Sequence, residues 1–356
     1  MINATPTAAG LFATVLAAAS VCGAEPPRPR AARLFAAVGV STGSDAARAG
    51  ERAARSMLAK FRAAARRPAV AIFLDRTARG SAKAGGAIGD RVRDVCGAPT
   101  YGSGGRIGPA GVTWWAKRDR EPTFLVLGLC GAAVAVRPYV ASGASPSDKP
   151  AAEAQARALG RQVARPGRPA ALLLGGLAGE TGGAFLAALR KSIGSKTPLL
   201  AAVGAPGDYV YANARAAAGA DGHRVAVGQL LLVIEGDFAV ATAGVVSRNV
   251  GDAQAVLAEA DTVARHAVEA LAASPCRAVL AVSDAGRLRA SALDRPGTER
   301  ARLCAAFGRD VPVFGCFSFL QAGLDNRGRF SVGRERLMLV ALGDAPPASR
   351  PGGPRP

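Results

Sequence analysis

The sequence predicts an α/β fold of repeated α-β-α-β-β-β units, whose helices cover mixed sheets. Three observations carry that expectation. Short runs rich in Val, Leu and Ile alternate with alanine-rich segments of helical period. The alternation recurs three times along 356 residues, a length with ample room for a core. Some apolar runs succeed one another across a single tight turn, which requires antiparallel as well as parallel neighbours in the sheet.

The first unit is assigned to residues 33–145. Its helix is "DAARAGERAARSMLAKFRAAA" and its first strand "AVAIFL". The glycine-bearing "GSAKAGGAIGD" leads into a second helix, followed by "GAPTYGSG" and the long strand pair ending "TFLVLGLCGAAVAV". The second unit, 151–247, repeats the layout with "AEAQARALGRQVA", "AALLLGG", "AFLAALRKSIG" and "PLLAAVGAPGDYVY". It closes on two strands joined at Gly236-Asp237. The third, 250–345, runs through "DAQAVLAEADTVARHAVEALAAS", "RAVLAVSD", "ERARLCAAFG", "VPVFGCFSF" and "RERLMLVALG". Gly97, Gly204 and Gly315, spaced 107 and 111 residues apart, set the register of the three units. In that register Cys316 stands with Ala98 and Ala205 and reads as a small core residue. Linkers fall at 139–151 and 247–252, and the Pro/Gly-rich tail 346–356 reads as disordered.

At the N-terminus, Leu11 to Val21 is an apolar run of signal-peptide length, too short to cross a bilayer. Residues 1–24 therefore read as a leader, although no Lys or Arg precedes the run. Export to the periplasm or cell envelope is the expectation, with a cytoplasmic chain as the alternative. No other segment has the length and apolarity of a membrane span.

The formal charge of +19 invites a nucleic-acid partner. The arginines are scattered through every segment, however, and no aromatic residues interleave with them to stack bases. Nucleic acid is not expected. Six cysteines show no CxxC pair and no metal-ligand spacing, and removing Cys22 with the leader leaves an odd number. They read as buried thiols, and no metal site follows from them.

Catalytic chemistry has little to build on. His266 falls within a helix and His223 at a turn; a turn histidine could ligate haem iron, but no partner spacing accompanies it. There is no GxSxG elbow. "GGLAGETGGAF" has the glycines of a phosphate loop without its lysine, so it reads as a plain strand-to-helix turn. A hydrolase or transferase using Cys316 or Ser318 as nucleophile is the alternative from another class.

The third unit carries a resemblance. "AVLAVSDAGRLRA" followed by "ERARLCAAFGRDVPVFGCFSF" resembles the C-terminal part of FIST domains, a family of bacterial sensory modules. The matching elements are an apolar strand ending in a Ser-x-Ala-Gly-Arg turn (Ser283, Ala285, Gly286, Arg287), Glu299 on the next helix, and Val311-Pro312 with an aromatic-Ser-aromatic strand around Ser318. "VGVSTGSDAARAGERAA" at 38–54 is similar to the family's N-terminal opening, so the resemblance spans Phe35 to Gly343. Three departures stand out. Asp284 replaces the turn cysteine, Leu320-Gln321 replaces a Gly-Glu pair, and "GRERL" replaces an Asn/Thr-bearing start of the last strand.

The resemblance implies a non-enzymatic module that binds amino acids or other small carboxylates and signals through a partner protein. Haem, which some members bind, would fall to His223. The pocket is expected at the turns that end the recurring strands. Arg287 is the candidate for a ligand's carboxylate, since a guanidinium can bind one bidentately. Ser318, Gln321 and Tyr101 are its polar neighbours, with Asp208 and Tyr209 from the second unit. Arg287 has a second reading, a salt bridge to Glu299.

Overall fold

An aspartate opens the first helix of each unit, and the strand before that helix proves to be where the unit starts. Asp45, Asp148 and Asp252 each accept backbone N–H bonds from the first helical turn, at 3.1 Å from Arg48, 2.9 Å from Ala151 and 2.8 Å from Gln254. A carboxylate there satisfies donors that a helix cannot satisfy itself. The computed structural model describes residues 33–76, 81–104, 123–131, 133–142, 148–163, 170–175, 179–195, 197–203, 209–213, 224–247, 249–272, 274–287, 298–318 and 320–345. All of them lie in the compact unit Ala32–Pro356. The expected leader and the tail 346–356 fall outside the described residues.

The first unit comprises β1 (Phe35–Thr42), α1 (Ala46–Ala63), β2 (Val70–Arg76), α2 (Ser81–Cys96), β3 (Thr100–Gly104) and β4 (Thr123–Cys130). The second comprises β5 (Ala135–Ser142), α3 (Lys149–Val163), β6 (Ala170–Gly175), α4 (Gly179–Ile193), β7 (Leu199–Val203), β8 (Tyr209–Asn213) and β9 (Arg224–Glu235). The third comprises β10 (Phe238–Val246), α5 (Ala253–Leu271), β11 (Cys276–Asp284), α6 (Thr298–Phe307), β12 (Val313–Ser318), β13 (Leu320–Leu324), β14 (Phe330–Gly333) and β15 (Arg336–Asp344).

The fold is α/β with mixed sheets. Strand order is the same in each unit: β1-β4-β2-β3, β5-β9-β6-β7 and β10-β15-β11-β12. In each, the first strand pairs antiparallel with the last, the last antiparallel with the second, and the second parallel with the third. The pairing draws the seams earlier than the helix pattern does. β10 follows β9 across Gly236-Asp237 yet pairs with β15, so those two strands belong to different units.

The internal register also differs from the glycine register. The recurring mark is a proline immediately before the third strand: Pro99, Pro198 and Pro312. Ala71 N and Val279 N donate to the carbonyls of Pro99 and Pro312 at 2.9 Å, which fixes equivalent points of the ladder. Proline suits a strand's entry, where it forfeits no ladder donor. Gly97 lies in the turn before β3, Gly315 lies inside β12, and Gly204 falls outside the described residues. In the pairing register Cys316 corresponds to Ser103 and Ala202, rather than Ala98 and Ala205.

Two strands weld neighbouring units. β8 lies antiparallel between β3 and β9, and β13 pairs antiparallel with β7. Alternation then separates two kinds of core. Ile72, Leu74, Leu125 and Leu127 of the first unit share one inner cluster with Leu200 and Leu232 of the second and Leu280, Val282, Phe314 and Cys316 of the third. The opposite faces take the helices, in three separate clusters such as Met57 and Phe61 against Phe73 and Val126. Small residues allow this packing to be close. A side chain at Gly39 would collide with the Ala53 carbonyl of α1, and one at Gly50 would stand 3.1 Å from the Ala84 carbonyl of α2.

Candidate functional site

The last two residues of β11 point to opposite faces of their sheet, because strand side chains alternate. Ser283 faces the helices and Asp284 faces inward beyond Val282. A separate polar network forms on each side.

On the helix side Arg287 is fully buried, as is Glu299 on α6. Its Nε and Nη2 donate to Glu299 Oε1 at 3.0 and 2.7 Å, and Nη2 also donates to the Val256 carbonyl at 3.1 Å. Nη1 donates to Glu259 Oε2 of α5 and to the Ser247 hydroxyl. Ser283 Oγ donates to the second oxygen of Glu299 at 2.8 Å. Of the two readings of Arg287, the salt bridge to Glu299 is the one present, and two protein carboxylates, a hydroxyl and a carbonyl surround its donors.

On the inner side Asp284 and Ser318 are register partners at the ends of β11 and β12. Asp284 Oδ1 accepts the Gly286 N–H at 2.6 Å, and Oδ2 accepts from Gln321 Nε2 at 3.3 Å. Gln321 is fully buried, and its Nε2 donates as well to the Ser318 carbonyl. Ser318 Oγ donates to the Leu320 carbonyl at 3.0 Å. Among the described residues, Gln321 Oε1 has no partner. Turning the amide over would set its oxygen against two other acceptors, so the orientation follows from its neighbours. A buried acceptor left without a donor costs about 1–3 kcal/mol, which makes it a place where a donor is missing.

Beside this group stands Arg336, half-buried at the start of β15. Nε donates to Ser331 Oγ at 2.8 Å, and the guanidinium lies where a side chain at Gly333 would be. Burial lowers the Arg336 pKa, while the charges of Asp284 and Glu335 act in the opposite sense. Among the described residues no direct ion pair joins Asp284 to Arg336, although each lies in the other's field. An acid, a base and an orphaned amide oxygen therefore share one end of the inner core, above the apolar residues Val282 and Cys316.

The expected site is thus partly assembled. Ser318 and Gln321 meet, and Arg287 faces away from them. Tyr101 lies on β3 in the shared inner cluster, where burial pushes its hydroxyl up to about 12. Asp208 and His223 fall outside the described residues. Tyr209 begins β8, and its side chain is likewise outside them. Cys316, a candidate nucleophile, sits in the inner cluster at 2% exposure. Among the described residues no three His, Cys, Asp or Glu side chains are placed to hold a metal, and no helix is long and apolar enough to cross a membrane. Asp284 and Arg336 were visible in sequence only as departures from a family pattern.

No protein-family model and no curated protein matches the chain. Among solved structures, it is similar to cyanuric acid hydrolase from A. caulinodans, at 14% identity over 86% of this chain and 99% of that one, with a TM-score of 0.40. PurLQS from Thermotoga maritima matches at 9% identity over 88% and 74%, with a TM-score of 0.29. T. maritima PurL complexed with ADP matches at 10% identity over 88% and 72%, also at 0.29. None of these likenesses bears on substrate or activity.

Proposed function

We propose that the chain is a non-enzymatic ligand-binding module of the FIST type, which takes amino acids at the inner end of β11 and β12 and signals through a partner. The observation that supports this reading is the orphaned Oε1 of Gln321, buried beside Asp284. A ligand ammonium supplies the donors that this oxygen and the Asp284 carboxylate can accept, and Arg336 supplies the complement for a carboxylate. A zwitterion leaves the local charge balanced, so it enters at less electrostatic cost than a bare anion.

Isothermal titration calorimetry with glycine and a panel of L-amino acids tests the reading. Saturable binding is expected, weakened at least tenfold in Asp284→Asn and in Arg336→Ala. Thermal melts should rise with ligand, since a ligand of the folded state stabilises it by about 2.7 kcal/mol at one hundred times its dissociation constant. Absence of both heat and thermal shift with every amino acid and simple carboxylate overturns the proposal.

A further inference from the structure

About 17 Å away, at the other end of the six-residue β12, the third unit meets the first across a groove. The groove encloses about 420 Å3 between β1, α1 and α6 and the approach to β12. One wall is the edge of β1, which among the described residues pairs only with β4. The direction of its backbone groups can be read from two contacts. Lys60 Nζ donates to the Val38 carbonyl at 2.7 Å, and Arg52 Nη2 to the Thr42 carbonyl at 2.9 Å. Residues two apart in a strand point the same way, so Ala36 and Val40 also present their N–H and C=O groups outward. Among the described residues, none of those four groups has a partner.

The two equivalent edges are closed by other means. On β10, Asn326 accepts from Gly244 N at 3.0 Å and donates to Gly244 O at 3.2 Å, sealing the strand with a loop. β5 carries Pro138, which has no N–H to offer, next to an exposed Arg137 paired with Glu235. β1, with the sequence FAAVGVST, has neither device. Its groove is also cationic among the described residues: Lys60 and Arg309 line it beside the carboxylate of Asp310.

We propose that the β1 edge is a docking strand for an extended acidic peptide segment of a partner protein. The segment pairs antiparallel or parallel to Ala36–Val40 through its backbone, and its carboxylates meet Lys60 and Arg309. Lys60 holds the Val38 carbonyl in the free protein and exchanges it for a peptide carboxylate on docking. Main-chain pairing supplies affinity and the basic rim supplies selection for acidic sequences. This proposal is independent of the amino-acid site and reaches the partner from the opposite end of the sheet.

The test is fluorescence anisotropy with an end-blocked, labelled hexapeptide of alternating Asp and Val. Saturable binding that weakens with salt is expected, with at least a tenfold loss in the Lys60→Glu/Arg309→Glu double variant. The same peptide N-methylated at alternate residues keeps its charge but loses strand donors, and should fail to bind in at least one of the two methylation registers. Asp284→Asn should bind the peptide as the parent does, which separates failure here from failure at the amino-acid site. Equal binding of a Lys-Val peptide, undiminished binding of both methylated peptides, or no binding at all overturns the proposal. So does concentration-dependent dimerisation in sedimentation that Val38→Pro abolishes, because the edge would then serve a second copy of the chain.

Discussion

Ser283 and Asp284 are adjacent in β11, yet the polar groups gathered around them obey different rules. On the helix side, Arg287 is enclosed by Glu299, Glu259, Ser247 and the Val256 carbonyl. On the inner side, Asp284, Gln321 and Ser318 bond to one another and still leave an amide oxygen without a donor. A saturated buried network has nothing left to recognise, so its role is to fix α5 and α6 on the sheet. An unsaturated one keeps an acceptor that no described residue uses. Burial alone does not distinguish them, since Arg287 and Gln321 are both fully enclosed.

Breaking the closed network should produce the largest effect on stability. Arg287→Met leaves Glu299 buried without its cation and should cost about 3–5 kcal/mol, measured by urea unfolding. If the variant folds with undiminished stability, the network is not the structural fastening described here. Asp284→Asn should do the reverse, lowering amino-acid affinity at least tenfold while shifting unfolding free energy by about 1 kcal/mol or less. Gln321→Leu should come next. It removes the orphaned oxygen together with the donor to Asp284, so the stability terms oppose each other while ligand affinity still falls.

Alkaline titration should separate the inner core from the surface by a smaller effect. Burial raises Tyr101 from its ordinary 10 to about 12, and raises the Cys276 thiol from 9.0 to about 12. Each folded-state pKa lies above the unfolded value, so the unfolded chain ionises first. Their contribution is intact below about pH 9 and is lost as the pH climbs towards 12. Melting temperatures measured from pH 8 to 11.5 should therefore decline, and Tyr101→Phe should flatten the upper part of that decline. The smallest effect concerns thiol reactivity. Burial also raises Cys96, Cys130 and Cys304, so iodoacetamide at pH 7.5 should label the native chain far more slowly than the urea-unfolded one.

Hydrophobic period was enough to reveal the helices, most of the strands and their threefold recurrence, because alternation and helical spacing are local properties, but it left β1, the strand that opens the first unit, unread. The register was not. Glycine recurs wherever a turn or a close approach needs it, so Gly97 and Gly315 stand at unlike places, whereas Pro99, Pro198 and Pro312 stand at one. Unit boundaries slipped for a related reason: β9 and β10 are continuous in sequence across a tight turn, and only their pairing partners assign them to different units. At the site, Ser318 and Gln321 were legible from the strand they end and begin. The salt bridge of Arg287 to Glu299 was legible as one of two readings, but its other partners were not, since Glu259 and Ser247 lie 28 and 40 residues before it and only folding brings them to its guanidinium. Arg336 escaped notice because nothing in "GRERL" says which of its three charges the β14–β15 turn directs toward Asp284.

The inner cluster has a consequence for whether the three parts can exist apart. Leu74, Leu200 and Leu280 come from different units and line one small apolar cavity. A unit cut free would expose the inner face of its sheet to water, so no third of the molecule is a self-sufficient folding domain. The recurrence is therefore one cooperative body rather than a string of modules, and heating should melt all three thirds in one transition.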